Sequence, residues 1–476
     1  MLARRRLALL CLPLVIACAG DKGETPADGE GTTADTPAST GETPTTDDTT
    51  SGAPGTAVDG PTYYEDVLPV FVQQCNGCHA EGGIGPYDLS DYETAKGLAP
   101  IIAGVTGARQ MPPFNANNEG ICNTFQDARW LSDDEIALLR EWAETGAQEG
   151  DPTTTVPQPP ELTKLAGDDI ADHPMPENYV PIADASSELG VDDYQCFKVD
   201  LGVTDTPRYL TGYEVIAGNE AVTHHLVGFL VDPEANGLLG TNGDLIDTLD
   251  AASPDQPGWD CFGAAGNGVG VEGTPVTWAP GGGAFNFPEG TGIRIDPGYI
   301  LVAQMHYNLV NEVSPDSTVL RLSWADTVER EAVNALQDKF LAAGFTGGGI
   351  TIPAGEESWT WQWDEQVRDF SGRMAGWKQV EILGVLPHMH SLGRRMQVDF
   401  FRGGTDADPE CGLYVDRWDY QWQQGFMYET PFILDPNDTV RVTCEWDTSS
   451  RTEDVAPGLG TQNEMCLLGL YAAEVK

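Results

Sequence analysis

Positive charge is what this sequence has least of. Its 476 residues hold 25 Lys and Arg against 74 Asp and Glu, a formal charge of −49. Phosphate contacts need Lys and Arg, so such a polyanion excludes nucleic acid as a partner. The acidity favours solubility and is compatible with life in high salt. Long apolar stretches are missing as well: beyond the N-terminus, no segment reaches the ~18 uninterrupted apolar residues that would span a bilayer. No internal repeat is found. Histidine and cysteine are rare, at 7 and 10, few enough to be accounted for singly. What is present is 40% hydrophobic residues, 55 Gly and 33 Pro. The chain can bury cores, its length suggests about three domains, and its composition points to mostly β and loop structure.

Residues 1–18 read MLARRRLALLCLPLVIAC: three arginines, a short apolar run, then a small residue and a cysteine. This is the pattern of an export signal, too short for a spanning helix. Val15-Ile16-Ala17-Cys18 resembles the lipobox of bacterial lipoproteins; the alternative is an ordinary signal peptide with an incidental cysteine. The expectation is a lipidated Cys18 that anchors an exported protein to a bacterial membrane, on a periplasmic or cell-surface face. Residues 19–60 are an acidic Thr/Pro-rich stretch with almost no large apolar side chain. They cannot bury enough surface to offset ordering entropy and are expected to be a disordered tether. A second linker, residues 151–161, separates residues 61–150 from the rest.

Within 61–150, Cys75-Asn76-Gly77-Cys78-His79 has the spacing of a c-type haem attachment site. Two thiols about one helical turn apart can form thioethers to the haem vinyls, and the next residue is the proximal iron ligand. A zinc half-site or a redox CxxC are the alternatives. Zinc would want a second Cys/His pair, and residues 80–150 contain no histidine and only Cys122. Met111 is the only methionine between Met1 and Met175, and Pro112 and Pro113 beside it would stiffen a loop presenting it as the sixth ligand. A core methionine is the other reading. His/Met ligation suits electron transfer. Ser132 and Glu135 form a capping box for a helix whose Ile136, Leu139, Trp142 and Ala143 share a face, with Gly146 as its stop. The stretch from Tyr63 to Gly150 resembles small bacterial cytochrome c modules, which implies an all-α domain.

One histidine is thus placed, and His173, in a Pro-rich loop, reads as ordinary surface. The other five fall in three motifs: His224-His225, Gln304-Met305-His306-Tyr307 and His388-Met389-His390, all in or beside strand-like patterns. Residues i and i+2 of a strand share a face, so His388 and His390 can grip one metal directly. Neighbouring residues point apart, so His224 and His225 can share a metal only at a strand end or bulge. Imidazoles suit copper, zinc, iron and nickel; an added thioether favours a redox copper site.

The order His-His, Gln-x-His-Tyr, His-x-His and then Glu464-Met465-Cys466 resembles the copper type II, ascorbate-dependent monooxygenases, the family of the peptidylglycine α-hydroxylating and dopamine β-monooxygenases. The resemblance covers roughly residues 185–476. It implies two successive antiparallel, jelly-roll-like β-sandwiches, taken as 162–332 and 333–476, with two copper ions across a solvent-filled cleft. His224, His225 and His306 would hold an electron-storing copper. His388, His390 and Met465 would hold the copper that meets dioxygen. It also implies a disulfide between Cys444 and Cys466; Cys122, Cys196, Cys261 and Cys411 cannot be paired from sequence. The sequence departs from the peptide-amidating members where an arginine, an asparagine and a tyrosine clamp the substrate carboxylate. Leu386, Leu467 and Gly469 stand there, and none can hold a carboxylate.

The expected protein is therefore a copper monooxygenase that hydroxylates a C–H bond of a small, apolar organic substrate with dioxygen. A fused c-type haem would relay its electrons from an unknown donor. The alternative is a non-catalytic haem–copper electron-transfer or copper-binding lipoprotein. A zinc hydrolase is a weaker reading, since no Glu or Asp is placed as a general base beside His-x-His.

Overall fold

The structure is a computed structural model. It describes residues 60–182, 191–237, 240–261, 264–280, 282–309, 313–345, 349–405, 407–458 and 462–476. The expected signal segment, Cys18 and the tether up to residue 59 lie outside the described residues. No helix among the described residues is long and apolar enough to cross a membrane.

The described chain is mostly β-sheet. Alternation at period two builds its cores. In Thr439–Trp446, residues Val440, Val442, Cys444 and Trp446 are buried on one face. Met396, Val398 and Phe400 in Gly393–Phe401 and Leu468, Leu470 and Ala472 in Leu467–Glu474 join them in one apolar cluster. Period-two burial of this kind is what lets two sheets face each other.

A long sheet runs through both halves of this region. Its strand order is Ile170–Pro174, Val319–Ala325, Arg208–Ile216, Thr291–Ile295, Arg330–Asp338, Leu467–Glu474, Val380–His388, Phe426–Leu434, with Phe285–Asn286 pairing off Arg208–Ile216. One half is covered by a five-stranded sheet: Trp259–Asp260, Asp192–Asp200, Ile300–Asn308, Thr223–Val231, Gly273–Trp278. The other is covered by Trp359–Gln366, Thr439–Trp446, Gly393–Phe401 and Glu410–Val415. The result is two sandwich-like halves joined edge to edge. Their join is the strand Arg330–Asp338, which pairs parallel with Thr291–Ile295 and antiparallel with Leu467–Glu474. The boundary expected between residues 332 and 333 falls inside that strand, where Ala332 belongs to the N-terminal core and Val333 to the C-terminal one.

Residues 60–150 carry three α-helices, α1 (Leu68–Gln74), α2 (Tyr92–Gly107) and α3 (Asp133–Glu144), around a separate cluster of Tyr63, Phe71, Leu139 and Trp142. The α3 capping box forms as expected: Ser132 Oγ accepts from Glu135 N–H at 3.2 Å, and the Glu135 carboxylate accepts from Ser132 N–H at 2.7 Å. Gly146 follows the helix at φ +94°, which only glycine adopts cheaply. Between α2 and α3 the chain leaves this cluster: Phe114, Ala116 and Phe125 pack into the C-terminal sandwich core. A Cys122–Cys411 disulfide fixes the excursion. Cys196–Cys261 and Cys444–Cys466 are the other disulfides among the described residues; the last is the pair the resemblance implies.

Candidate metal centres

The first centre starts from a register slip. Thr223–Val231 pairs with Ile300–Asn308, but the pairing jumps from Thr223↔Tyr307 to His225↔His306. His224 is the extra residue of a bulge, the condition under which neighbouring histidines can face one point. The three Nδ1 atoms converge: His224 to His225 is 3.3 Å, His224 to His306 3.1 Å, and His306 to His225 3.2 Å. All three rings are buried, and burial pushes His224 down to about 4 and His225 and His306 well below their ordinary range. They are neutral, so each has one N–H and one lone pair. Asp192 Oδ1 takes the His306 Nε2–H at 3.0 Å, leaving the lone pair on Nδ1. Lone pairs aimed at one point repel unless a cation lies between them. A triangle of these edges has its centre ~1.9 Å from each corner, close to the ~2.0 Å of an imidazole–metal bond. The donor set fits a metal ion.

The second centre lies at the end of Val380–His388. His388 and His390 project from one side, ring centroids 5.2 Å apart and planes at 86°. His388 Nδ1–H donates to Gln423 Oε1 at 2.5 Å, and His390 Nδ1–H donates to the Asn463 carbonyl at 2.9 Å. Each bond fixes the tautomer and turns Nε2 to the metal side. His388 Nε2 is buried without a hydrogen-bond partner, and burial pushes this imidazole down to about 3. An orphaned buried acceptor is costly, and a metal ion would satisfy it. Met465 is brought to this turn by its neighbour Glu464. The Glu464 carboxylate, fully buried, accepts from the N–H groups of His390 (2.9 Å), Leu392 (2.7 Å) and Met465 (3.3 Å) and from Trp446 Nε1 (3.0 Å).

Leu386, Leu467 and Gly469 sit beside this centre. Leu386 pairs with Gly469 and His388 with Leu467 across neighbouring strands. A Cβ on Gly469 would come within 2.9 Å of Leu336 Cδ2 and 3.0 Å of Leu386 Cβ, so a longer side chain there would force its neighbours apart.

Cys75 and Cys78 are the free cysteines among the described residues. Burial pushes the Cys75 thiol up to about 12, and it raises Cys78 too, against the nearby Arg129 guanidinium. His79 Nδ1 lies 3.3 Å from the Tyr87 carbonyl, a contact that would leave Nε2 for a ligand. Met111 follows α2, half-buried, with its N–H on the Val105 carbonyl. This segment touches the N-terminal sandwich: Cys78 Sγ is 3.7 Å, and Arg129 Nη2 2.7 Å, from the Pro280 carbonyl. A cleft of about 520 Å³ opens there, walled by Gln73 and Arg129, by His225 and Trp278, and by Leu386 and Gln423.

Sequence reading named the ligand candidates and missed their supports. Asp192, Tyr194, Tyr420, Gln423 and Asn463 carried no motif. The i, i+2 spacing of Asp192 and Tyr194 before Cys196 was the one available signal.

Residues 343–472 match the family described as copper type II ascorbate-dependent monooxygenase, C-terminal domain. Over 289 residues the chain is 25% identical to a human protein named putative DBH-like monooxygenase protein 2, covering 58% of this chain and 52% of that one. It is 22% identical over 321 residues to DBH-like monooxygenase protein 1 of Gallus gallus, covering 65% and 48%. With human dopamine beta-hydroxylase it shares 23% over 283 residues, covering 58% and 42%. The chain thus spans about half the length of the curated relatives it matches. These likenesses are to copper monooxygenases.

Proposed function

We propose that this chain is an exported copper monooxygenase that hydroxylates a C–H bond of a small, apolar organic substrate. The balance is substrate C–H plus dioxygen, two electrons and two protons, giving an alcohol and water. The observation that carries this reading is the convergence of three buried Nδ1 atoms within 3.1–3.3 Å, in a chain whose C-terminal part matches a copper family. Copper held by His224, His225 and His306, and by His388, His390 and Met465, would supply one-electron redox chemistry and dioxygen activation. The chain's own residues do the rest. Asp192, Gln423 and the Asn463 carbonyl hold the ring tautomers. Glu464 ties the Met465 segment to the His390 turn. The cleft wall at Leu386, with Gly469 behind it, favours an apolar substrate over a carboxylate.

In this reading residues 61–150 are a cytochrome c domain. Cys75 and Cys78 would bind a haem c covalently, with His79 and Met111 as axial ligands. The His79–Tyr87 contact supports it. So does the approach of Cys78 to Pro280, at a cleft that also reaches His225. The haem would pass electrons from an external donor towards the copper at His224, His225 and His306. A lipid on Cys18 would hold the protein at a membrane.

A second reading, a non-catalytic haem–copper electron carrier, is favoured by the missing carboxylate clamp at Leu386, Leu467 and Gly469. Protein purified from the periplasm separates the two. The monooxygenase reading expects two coppers per haem, and oxygen uptake matched by hydroxylated product with apolar substrates, lost in Met465→Ala. Zinc in place of copper, or oxygen uptake that Met465→Ala leaves unchanged, would overturn it. Stopped-flow spectra test the relay: the reduced, copper-loaded protein should show haem oxidation on adding oxygen and substrate.

A further inference from the structure

A bulge is the less favourable way to pair two strands, since its extra residue is left out of the ladder. The bulge at His224 therefore needs something to hold it. The strand beyond it cannot slide: Leu226 and Leu230 are buried in one core and Phe229 and Val231 in another. A one-residue slip there would carry each to the wrong face. Relaxation has to come from the other side, at Thr223 and the turn that leads into it. With that side released, His224 would take the place of Thr223 opposite Tyr307. His224 and His225 would then point to opposite faces, as neighbours on a regular strand do.

Both sides of the slip end on one carboxylate. Tyr307, the register partner of Thr223, donates its hydroxyl to Asp316 Oδ2 at 3.0 Å. Asp316 Oδ1 accepts the Asn219 N–H at 3.0 Å. Asn219 closes the turn before the strand. Its carbonyl accepts the N–H groups of Thr223 at 3.0 Å and Val222 at 3.3 Å, and its Oδ1 that of Ala221 at 3.1 Å. Asp316 is fixed in its own right: Thr318 Oγ1 donates to it at 2.8 Å, and its backbone exchanges hydrogen bonds of 2.8 and 3.1 Å with Tyr179. Asp316, Thr318, Tyr307 and Thr223 are at most 1% exposed. A carboxylate buried this deeply is costly unless it is hydrogen-bonded. Here its donors come from the two stretches of chain that meet at the slip.

We propose that Asp316 is a positioning residue of the first metal centre. One carboxylate, bonded to Tyr307 on one strand and to the Asn219 turn that leads into the other, holds the slip that brings His224 and His225 to one point. It works through the register rather than through a bond to any of the three imidazoles. Its part is thus separate from that of Asp192: Asp192 sets which nitrogen of His306 is free, and Asp316 sets which way His224 faces. The role as a metal-centre residue rests on the copper reading above.

The test uses the full-length protein. Chelator competition resolves the copper bound at each centre, and thermal unfolding is followed on the same samples. Tyr307→Phe keeps the ring and removes the hydroxyl; Asp316→Ala removes both links. Leu322→Ala, in the same N-terminal core on Val319–Ala325, is the control that lowers stability without bonding to either side of the slip. Tyr307→Phe should weaken copper at His224, His225 and His306 by roughly tenfold and Asp316→Ala by more, with the His388, His390 and Met465 centre within about twofold of wild type. Leu322→Ala should lose stability and keep both affinities. Unchanged first-centre affinity in Tyr307→Phe, or an equal loss in Leu322→Ala, would overturn the proposal. Should Asp316→Ala fail to fold, Tyr307→Phe, which deletes one oxygen, still decides. Crystal structures of the metal-free proteins give a readout without copper: His224 and His225 should converge in wild type and part in Asp316→Ala. Convergence kept in that variant would equally overturn it. A wild-type protein that takes up no copper at this centre fails the copper reading, while the metal-free structures still test the lock.

Discussion

Asp192 is worth more than the energy of its hydrogen bond to His306, because it decides which nitrogen of that ring is free. With its carboxylate on Nε2, the lone pair can only be on Nδ1, where the other two histidines converge. Supports of this kind typically cost 10–100-fold in metal affinity when removed. Asp192→Ala should therefore weaken copper binding at the first centre by roughly that factor. A chelator competition that resolves two binding steps would register it as a change in one step only. Glu464 is the corresponding residue of the second centre, with a structural cost attached. Burial pushes its carboxyl up to about 7 even though four donors point at it. Glu464→Ala would leave those four N–H groups inside the protein without an acceptor, a loss on the order of 4 kcal/mol. Thermal unfolding should move down by roughly 5 °C, and copper should be lost from the His388/His390/Met465 centre. Glu464→Gln, which keeps one acceptor oxygen, should fall between the two.

The bulge at His224 shows what can and cannot be read from a sequence at the level of elements. Alternation requires that two adjacent histidines part company on a strand, so the pair itself implied a strand end or bulge. The same periodicity put His388 and His390 on one side, and the α3 cap was visible in Ser132 and Glu135. Both sandwiches were legible in outline. Their shared sheet was not, since strand pairing between Arg330–Asp338 and Thr291–Ile295 is a long-range choice that no local pattern encodes. The turn Tyr420–Trp422 was equally silent. It is a short polar stretch whose importance comes from what it meets: Asp192 and His224 on one side, His388 and His390 on the other. Asn115, some 300 residues away in sequence, holds it with two bonds. In Asn115→Ala the two carbonyls lose their donor and the turn should open more often. Amide exchange across residues 416–425 should rise in hydrogen–deuterium mass spectrometry, with the sheet strands on either side unchanged.

For the whole molecule the question is whether the helical segment is a tethered neighbour or a built-in part. An electron donor that diffuses on a linker reaches its acceptor at varying distances; one locked against it does not. The described residues from Gly60 onward form one compact unit, and the structural reasons are specific. Phe114 and Phe125 meet Phe426 edge-on or tilted at 5.1 and 5.4 Å, and Phe125 stacks on Tyr428 at 5.5 Å. Single β-bridges tie Ala116 to Val415 and Phe125 to Tyr428, and the disulfide Cys122–Cys411 closes over them. The linker at Asp151–Pro160, by contrast, is exposed along most of its length and has no regular structure. Limited proteolysis should therefore cut there first. The two pieces should run as one band on a non-reducing gel and as two after reduction. The apolar contacts argue further: buried aromatic pairs each add roughly 0.5–1.5 kcal/mol beyond their area. The nicked, reduced protein should still elute as a single species under native conditions. Fragments that separate once Cys122–Cys411 is reduced would mean that the disulfide alone sets the distance from Cys78 to the cleft.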